Sequence, residues 1–161
     1  MQVKQRYFIA CTLIRKLGKT VQTHPTIGSN YEEIAHNNVI LQTWDVGGQE
    51  SLRKIWDSYF KGANAIVFII DSSDRSNQVI SKTELEKLFN YEEIKNCIFL
   101  VLANKQDLKD AMSVEEIIEQ FNLQHLSQNT WSIYGISAKT GAGIDNAFDW
   151  LIDNISLKKG N

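Results

Sequence analysis

The pattern of apolar and polar positions predicts strands and helices that alternate along the chain. Two nearly unbroken apolar runs, at 63–70 and 97–103, are typical of strands buried on both faces of a sheet. A segment with helical periodicity follows each run, at 81–89 and at 113–121, and residues 113–116 (SVEE) have the spacing of a helix capping box. Alternating strands and helices predict an α/β fold in which a mixed, mostly parallel sheet carries helices on both faces.

The central part of the pattern predicts a β-hairpin. Residues 31–35 and 39–44 flank His36-Asn37-Asn38, and asparagine tolerates the positive φ angles that tight turns require. The remaining expected elements are helices over 52–61 and 143–155 and a strand over 131–136.

The beginning of the chain is ambiguous. Residues Tyr7 to Leu17 carry apolar side chains at mixed spacing and end at Gly18, which favours a short helix with a glycine C-cap. Aromatic and β-branched residues cluster at 7–11, which favours a strand instead. Periodicity alone does not separate the two structures.

Length and composition predict one domain over 1–161, with an atypical N-terminus at 1–12. Of the 161 residues, 43% are hydrophobic and 22% are charged, as is ordinary for a soluble globular protein. The formal net charge of -2 gives no reason to expect nucleic acid as a partner. Cys11 and Cys97 lack metal-ligand spacing, so we expect reduced thiols in a cytoplasmic protein.

No feature of the sequence predicts attachment to a membrane. No apolar run approaches the roughly twenty residues of a membrane span, and residues 1–4 do not resemble a signal peptide. Gln2 stands where N-myristoylation needs glycine, and the tail 157–161 lacks the cysteine that prenylation needs. We therefore expect a soluble protein without a lipid anchor.

Residues 45–49 (DVGGQ) have the composition of a phosphate and metal site. A carboxylate at a strand end, here Asp45, can hold Mg²⁺, usually through water. Gly48 can bring its N–H close to a terminal phosphate, and Gln49 has the length to orient an attacking water. The hydroxyl of Thr26, on a loop, is a candidate second Mg²⁺ ligand. Taken alone, residues 45–49 also fit a helix N-cap followed by a turn, and Thr26 also fits an ordinary turn.

Residues 104–107 (NKQD) have the chemistry of guanine recognition. The carboxylate of Asp107 can accept hydrogen bonds from both N–H groups on the Watson–Crick edge of guanine. Adenine has the opposite polarity there and would leave a polar group unpaired, at a cost of about 1–3 kcal/mol. The stem of Lys105 can cover the face of the base, and Asn104 can tie adjacent loops together. The alternative is a surface loop without a ligand.

A third segment, 137–139 (SAK), can add a backbone N–H for the guanine carbonyl and a second lysine stem. Asp45, Asn104 and Ser137 each fall just beyond the end of a predicted strand. Because ligands of parallel α/β sheets bind at the carboxyl ends of the strands, the three motifs are expected to meet at one edge of the sheet.

Together these motifs resemble the Arf/Arl (ADP-ribosylation-factor-like) branch of the Ras-like small GTPases. The similarity covers about 13–155, and the matching segments are PTIGSN (25–30), WDVGGQESLRKIW (44–56), SYFKGA (58–63), VFIIDSSDR (67–75), LANKQDL (102–108) and SAKTGAGI (137–144). The resemblance implies a Ras-like P-loop GTPase fold and a switch that binds GTP, GDP and Mg²⁺, with two loops ordered by the triphosphate. It also implies a role in vesicle-mediated intracellular transport, in the cytoplasm and at the Golgi.

The resemblance also implies roles for individual residues. Mg²⁺ would be held by Thr26 and Asp45, Gly48 would contact the γ-phosphate, and Gln49 would position the water. The guanine pocket would be formed by Asn104, Lys105, Asp107, Ser137, Ala138 and Lys139.

Effector and exchange-factor proteins would meet the two switch loops, at about 22–31 and 45–60, and the aromatic surface between them. The matching aromatic positions are Trp44 and Tyr59, and simple core packing is their alternative role. Ser29 stands at a third position where many relatives carry an aromatic residue, so no specific effector is assigned.

The expected phosphate loop, G-x-x-x-x-G-K-[ST], is incomplete in this chain. Residues 18–20 read GKT, but Leu13 stands where the first glycine belongs, and 21–24 are too few for the helix that normally follows. Residues 16–18 instead match the end of the family's first helix. We therefore interpret GKT as a chance match and expect weak nucleotide binding with negligible hydrolysis.

The same omission predicts a gap in the sheet, because the family's first strand lies between strands 39–44 and 63–70. Unpaired N–H and C=O groups there would cost on the order of 1–3 kcal/mol each. Residues 3–11 can fill the gap as a substitute strand, and the first helix would then be shortened or lost.

Three hypotheses stay open: a GTPase with weakened nucleotide binding, a nucleotide-independent pseudo-GTPase that binds partners through its interswitch surface, and an incomplete product of a full-length GTPase.

Overall fold

Six strands form one mixed sheet in the computed structural model, which describes residues 5–12, 29–36, 39–46, 60–125 and 129–159. The strands are β1 (Gln5–Thr12), β2 (Ser29–His36), β3 (Val39–Val46), β4 (Ala65–Asp71), β5 (Ile98–Asn104) and β6 (Trp131–Gly135). Their order across the sheet is β2-β3-β1-β4-β5-β6. All neighbours are parallel except β2 and β3, which form the predicted antiparallel hairpin.

Three α-helices lie in the described part of the chain: α1 (Gln78–Leu88), α2 (Val114–Gln120) and α3 (Ile144–Lys159). Short 3-10 turns occupy Glu92–Ile94 and Leu123–His125. At the start of α2, Ser113 Oγ accepts from the Glu116 N–H at 3.1 Å, and Glu116 Oε2 accepts from the Ser113 N–H at 2.8 Å. The predicted capping box is therefore confirmed, whereas nearly all of the helix predicted over 52–61 lies outside the described residues.

The two-residue period of β4 and β5 divides the buried residues between the two faces of the sheet. On one face Phe99, Val101 and Ala103 pack with α1 and α2; on the other, Ile98, Leu100 and Leu102 pack with α3. The helix residues buried against these faces are Leu85, Leu88, Ile117, Ala147, Phe148, Leu151 and Ile155. Complete burial of such a side chain contributes about 1.5–3 kcal/mol, so both strands are held from both faces, as their unbroken apolar runs predicted.

The favoured helix over 7–17 is wrong for residues 7–12, which belong to β1. This strand lies between β3 and β4, and its register runs from Gln5 opposite Val39 to Thr12 opposite Val46. The strand alternative over 7–11 is confirmed, and the substitute strand predicted over 3–11 is confirmed for residues 5–11, since 3 and 4 lie outside the described residues. The physical reason is the pairing on both sides, which satisfies backbone groups that a helix would leave open in β3 and β4.

The carboxyl ends of the five parallel strands lie at one edge of the sheet. They are Thr12, Val46, Asp71, Asn104 and Gly135. The described loops that leave β5 and β6 at this edge carry the motifs at 104–107 and 137–139, so the topology places these two motifs together. None of the helices in the described ranges combines the length and the apolar character that a membrane span requires.

Candidate functional site

Asn104 joins the loop after β5 to the loop after β6. It is the last residue of β5, and its Oδ1 accepts hydrogen bonds from the N–H groups of Lys105 at 2.8 Å and Ala138 at 2.9 Å. An amide oxygen has two lone pairs, and here both serve the backbone. The side chain therefore holds two loops in a fixed relation at the carboxyl edge of the sheet.

Asp107 and Ser137 form a second link between the same two loops. Ser137 is 2% exposed, its Oγ donates to Asp107 Oδ1 at 2.7 Å, and it accepts from the Thr140 N–H at 3.2 Å. The hydrogen bond from Ser137 lowers the pKa of Asp107, and the charges of Lys139 and Lys105 act in the same direction. The Asp107 carboxylate is thus ionised at neutral pH and suited to accept further hydrogen bonds.

The loop after β6 is held by backbone contacts that require glycine. The Ser137 N–H donates to Ala142 O at 3.0 Å, and the Gly141 N–H donates to Ser137 O at 2.8 Å. Gly143 has φ +76, and a Cβ there would lie 2.4 Å from the carbonyl oxygen of Gly135. Sequence reasoning gave this glycine no role, although its place in the 137–144 motif was the available signal.

Gln106 and Ser72 support the loop after β5 from its buried side, and sequence reasoning missed both. Gln106 donates through Nε2 to Ser72 Oγ at 3.0 Å and to Met112 O at 2.9 Å, while its backbone N–H donates to Ile136 O at 3.0 Å. Ser72 is fully buried. The side chains of residues 104–107 alternate in burial: Asn104 and Gln106 are half-buried, whereas Lys105 and Asp107 are exposed.

Lys105 has an unusual backbone conformation and an ionic partner. Its φ of 71 lies in the left-handed region, and its Nζ is 2.6 Å from Asp71 Oδ2 at the end of β4. Burial opposes ionisation of Asp71, but hydrogen bonds from Lys105 and Ser73 outweigh that effect and lower its pKa. The lysine stem is consequently directed from β5 towards β4.

The structure brings together six of the predicted site residues: Asn104, Lys105, Asp107, Ser137, Ala138 and Lys139. Asp45 lies in β3 one residue before its end, at the same edge. Thr26, Gly48, Gln49 and Tyr59 lie outside the described residues, so their predicted roles stay predictions.

Trp44 lies on β3 directly opposite Tyr31 of β2, and their ring centroids are 5.1 Å apart. Tyr31 is 45% exposed, and its hydroxyl accepts from Gln42 at 2.9 Å and donates to Glu33 at 2.8 Å. Trp44 is half-buried and packs against the core face that holds Phe60. Trp44 therefore makes the core contact predicted as its alternative role, and its predicted contact with effectors stays a prediction.

Comparison with known proteins identifies the family. A family model described as the ADP-ribosylation factor family matches residues 10–155. The chain belongs to the ADP-ribosylation factor family. The structure of this Arf-family chain is similar to the Arl6 (BBS3) small GTPase from Trypanosoma brucei, which was solved with the bound nucleotide analogue GppNp. The TM-score is 0.85 at 23% identity, over 96% of this chain and 99% of that chain. This likeness concerns the fold and confirms the predicted small-GTPase architecture.

Proposed function

We propose that this Arf-family chain is a guanine-nucleotide-dependent switch that binds GDP and GTP. The observation that supports this function best is the joined pair of loops after β5 and β6. Asn104 and the Asp107–Ser137 hydrogen bond fix these loops to each other, which holds the ionised Asp107 carboxylate at the carboxyl edge of the sheet. A purine with two neighbouring donors on its edge matches this acceptor.

Guanine fits the cluster better than adenine does. The guanine N1–H and exocyclic amine are donors, and the Asp107 carboxylate has lone pairs beyond the one that Ser137 uses. The adenine edge would set an acceptor against this carboxylate, at a cost of about 1–3 kcal/mol. Lys105 and Lys139 would cover the base with their apolar stems.

Metal and phosphate binding would involve the other sequence motifs. Thr26 and Asp45 would hold Mg²⁺, because a hydroxyl and a carboxylate are the oxygen donors that this ion prefers. Gly48 would contact the γ-phosphate, and Gln49 would orient water. The bound Mg²⁺ would neutralise charge on the phosphates.

The phosphate-binding loop of the proposed site departs from the motif that such a site requires. β1 ends at Thr12, and five residues separate it from Gly18-Lys19-Thr20, so a strand does precede GKT as the motif requires. Leu13 nevertheless stands at the first glycine position. We therefore propose that GDP and GTP bind much more weakly than to a complete family member, and that hydrolysis is negligible.

Calorimetric titration of the purified full chain tests this function. With Mg²⁺ present, GDP is expected to bind measurably but weakly, and ADP is expected to bind at least about tenfold more weakly, as about 1.4 kcal/mol implies. Lys19→Ala is expected to leave the GDP affinity unchanged. Stoichiometric guanine nucleotide in the purified protein would refute the weakened binding, and equal affinity for GDP and ADP would refute guanine recognition.

The cellular role is proposed from the family. The chain would act in the cytoplasm and at the Golgi in vesicle-mediated transport. Effectors and exchange factors would contact the switch loops, Trp44 and Tyr59.

A second candidate function is a nucleotide-independent binding module. The exposed Tyr31 ring beside Trp44 on the edge hairpin favours it, because aromatic rings on a surface are typical of protein interfaces. A partner that binds with equal affinity to the wild type and to Asp107→Asn, and more weakly to Tyr31→Ala, would support this function. A partner whose binding depends on added GTP would exclude it.

A further inference from the structure

We propose that Asp71 is a positioning residue for the nucleotide base, because it holds Lys105 across the carboxyl edge of the sheet. This inference rests on the proposed guanine site and adds a residue to it. Asp71 ends β4 and lies directly opposite Asn104 in the register of β4 and β5. It is therefore one strand away from the loop that carries Lys105 and Asp107.

The carboxylate of Asp71 is itself oriented. Its Oδ1 accepts from the Ser73 N–H at 3.0 Å and from Ser73 Oγ at 2.6 Å. The other oxygen, Oδ2, is then left to face Lys105 Nζ at 2.6 Å. Because Ser73 fixes the plane of the carboxylate, the lysine has a defined anchor.

The backbone conformation of Lys105 indicates that the fold determines the direction of its side chain. Lys105 and Asn122 are the two residues other than glycine with positive φ in the described ranges. Asparagine tolerates this region, whereas lysine carries a steric cost there. Such strain persists where the surrounding structure enforces it, and it clusters at ligand sites. Here the Gln106 side chain and the Asn104 oxygen hold the turn.

An anchored stem favours binding because lysine otherwise loses rotamer freedom when a base covers it. The Lys105 side chain is 48% exposed, so without Asp71 it would sample many conformations in solvent. With Nζ held, the four methylene groups form a preorganised apolar surface beside Asp107. Immobilising a side chain in advance is expected to strengthen base binding by about fivefold.

The test is a double-mutant cycle on GDP affinity, measured by calorimetry on the full chain. Asp71→Asn removes the anchor charge, and Lys105→Met keeps an apolar stem without its charged end. Each change is expected to weaken GDP binding about fivefold, and the double variant is expected to be no weaker than either single variant. Asp74→Asn is the matched control, because Asp74 lies on the same loop and bonds to Ser76 and Asn77 instead.

The cycle separates positioning from a structural role. If Asp71→Asn weakens binding equally with and without Lys105→Met, Asp71 acts through its own loop and the inference is overturned. Unchanged affinity in Lys105→Met overturns it as well, even if Asp71→Asn does not fold. Wild-type protein that does not bind GDP at all would instead refute the proposed function on which the inference rests.

Discussion

At the scale of single residues, Asp107 is expected to decide which purine the site accepts. Asp107→Asn replaces an all-acceptor group with an amide that has one acceptor and one donor. The change should weaken GDP binding and favour xanthosine diphosphate, which carries a carbonyl where guanine has its amine. A shift in the ratio of the two dissociation constants by at least about fivefold is expected from about 1–3 kcal/mol. A ratio that is the same before and after the substitution would contradict the role of Asp107.

Gly143 gives a residue-scale prediction about stability. Gly141→Ala and Gly143→Ala both force alanine into positive φ, at +84 and +76, which costs about 1–2 kcal/mol. Only at Gly143 would the new Cβ also collide with backbone, at 2.4 Å from Gly135 O. Gly143→Ala should therefore lower the free energy of unfolding in urea by at least about 1 kcal/mol more than Gly141→Ala does. Equal losses of unfolding free energy in the two variants would show that the loop moves away from Gly135 and avoids the collision.

Single residues were predictable from the sequence where the chemistry is local to one motif. Asn104 lies in one short segment with a recognisable pattern, and its predicted link between adjacent loops is confirmed. The guanine contact of Asp107, in the same segment, stays a prediction. Asp71 and Ser72 contact that segment only because β4 and β5 pair in a particular register. Such a register cannot be inferred from spacings along the chain. The contribution of Asp71 and Ser72 was therefore recognised only in the three-dimensional structure.

At the scale of secondary-structure elements, the capping box of α2 allows a direct test. Ser113→Ala removes the oxygen that accepts from the Glu116 N–H and should lower the free energy of unfolding by about 1 kcal/mol. Ser113→Asp supplies another acceptor and should keep most of the stability. Chemical denaturation of the two variants measures the difference. If Ser113→Asp loses as much as Ser113→Ala, the hydroxyl is not acting as a cap.

An element is predictable from the sequence when its own residues determine its structure, and it is less predictable when strands far along the chain determine it. β4 and β5 are buried on both faces, so their apolar runs predicted them without ambiguity. β1 was predicted less well, because its apolar residues continue at mixed spacing to Gly18 and so favoured a helix over the strand that forms. What decides its structure is pairing with β3 and β4, strands that begin dozens of residues further along the chain.

At the scale of the whole molecule, several carboxylates make the fold sensitive to acid. The folded-state pKa values of Asp71, Asp74, Asp107 and Glu116 all lie below their ordinary values. Each group therefore contributes stability that is complete above its unfolded pKa and is lost as the pH falls through its folded pKa. The urea midpoint should change little between pH 8 and pH 6 through these groups and should fall below about pH 4.5. A midpoint at pH 3 equal to that at pH 7 would contradict this.

We propose that the loops after β5 and β6 form a guanine pocket in this Arf-family fold. The most direct measurement is a two-dimensional ¹H–¹⁵N NMR titration of the labelled full chain with GDP and, in parallel, with ADP, both with Mg²⁺. We predict that GDP shifts the amide signals of residues 104–107 and 137–139 in a saturable manner, and that ADP at the same concentrations leaves them in place. Saturable shifts of these signals by both nucleotides alike, or GDP shifts confined to other parts of the chain, would contradict it.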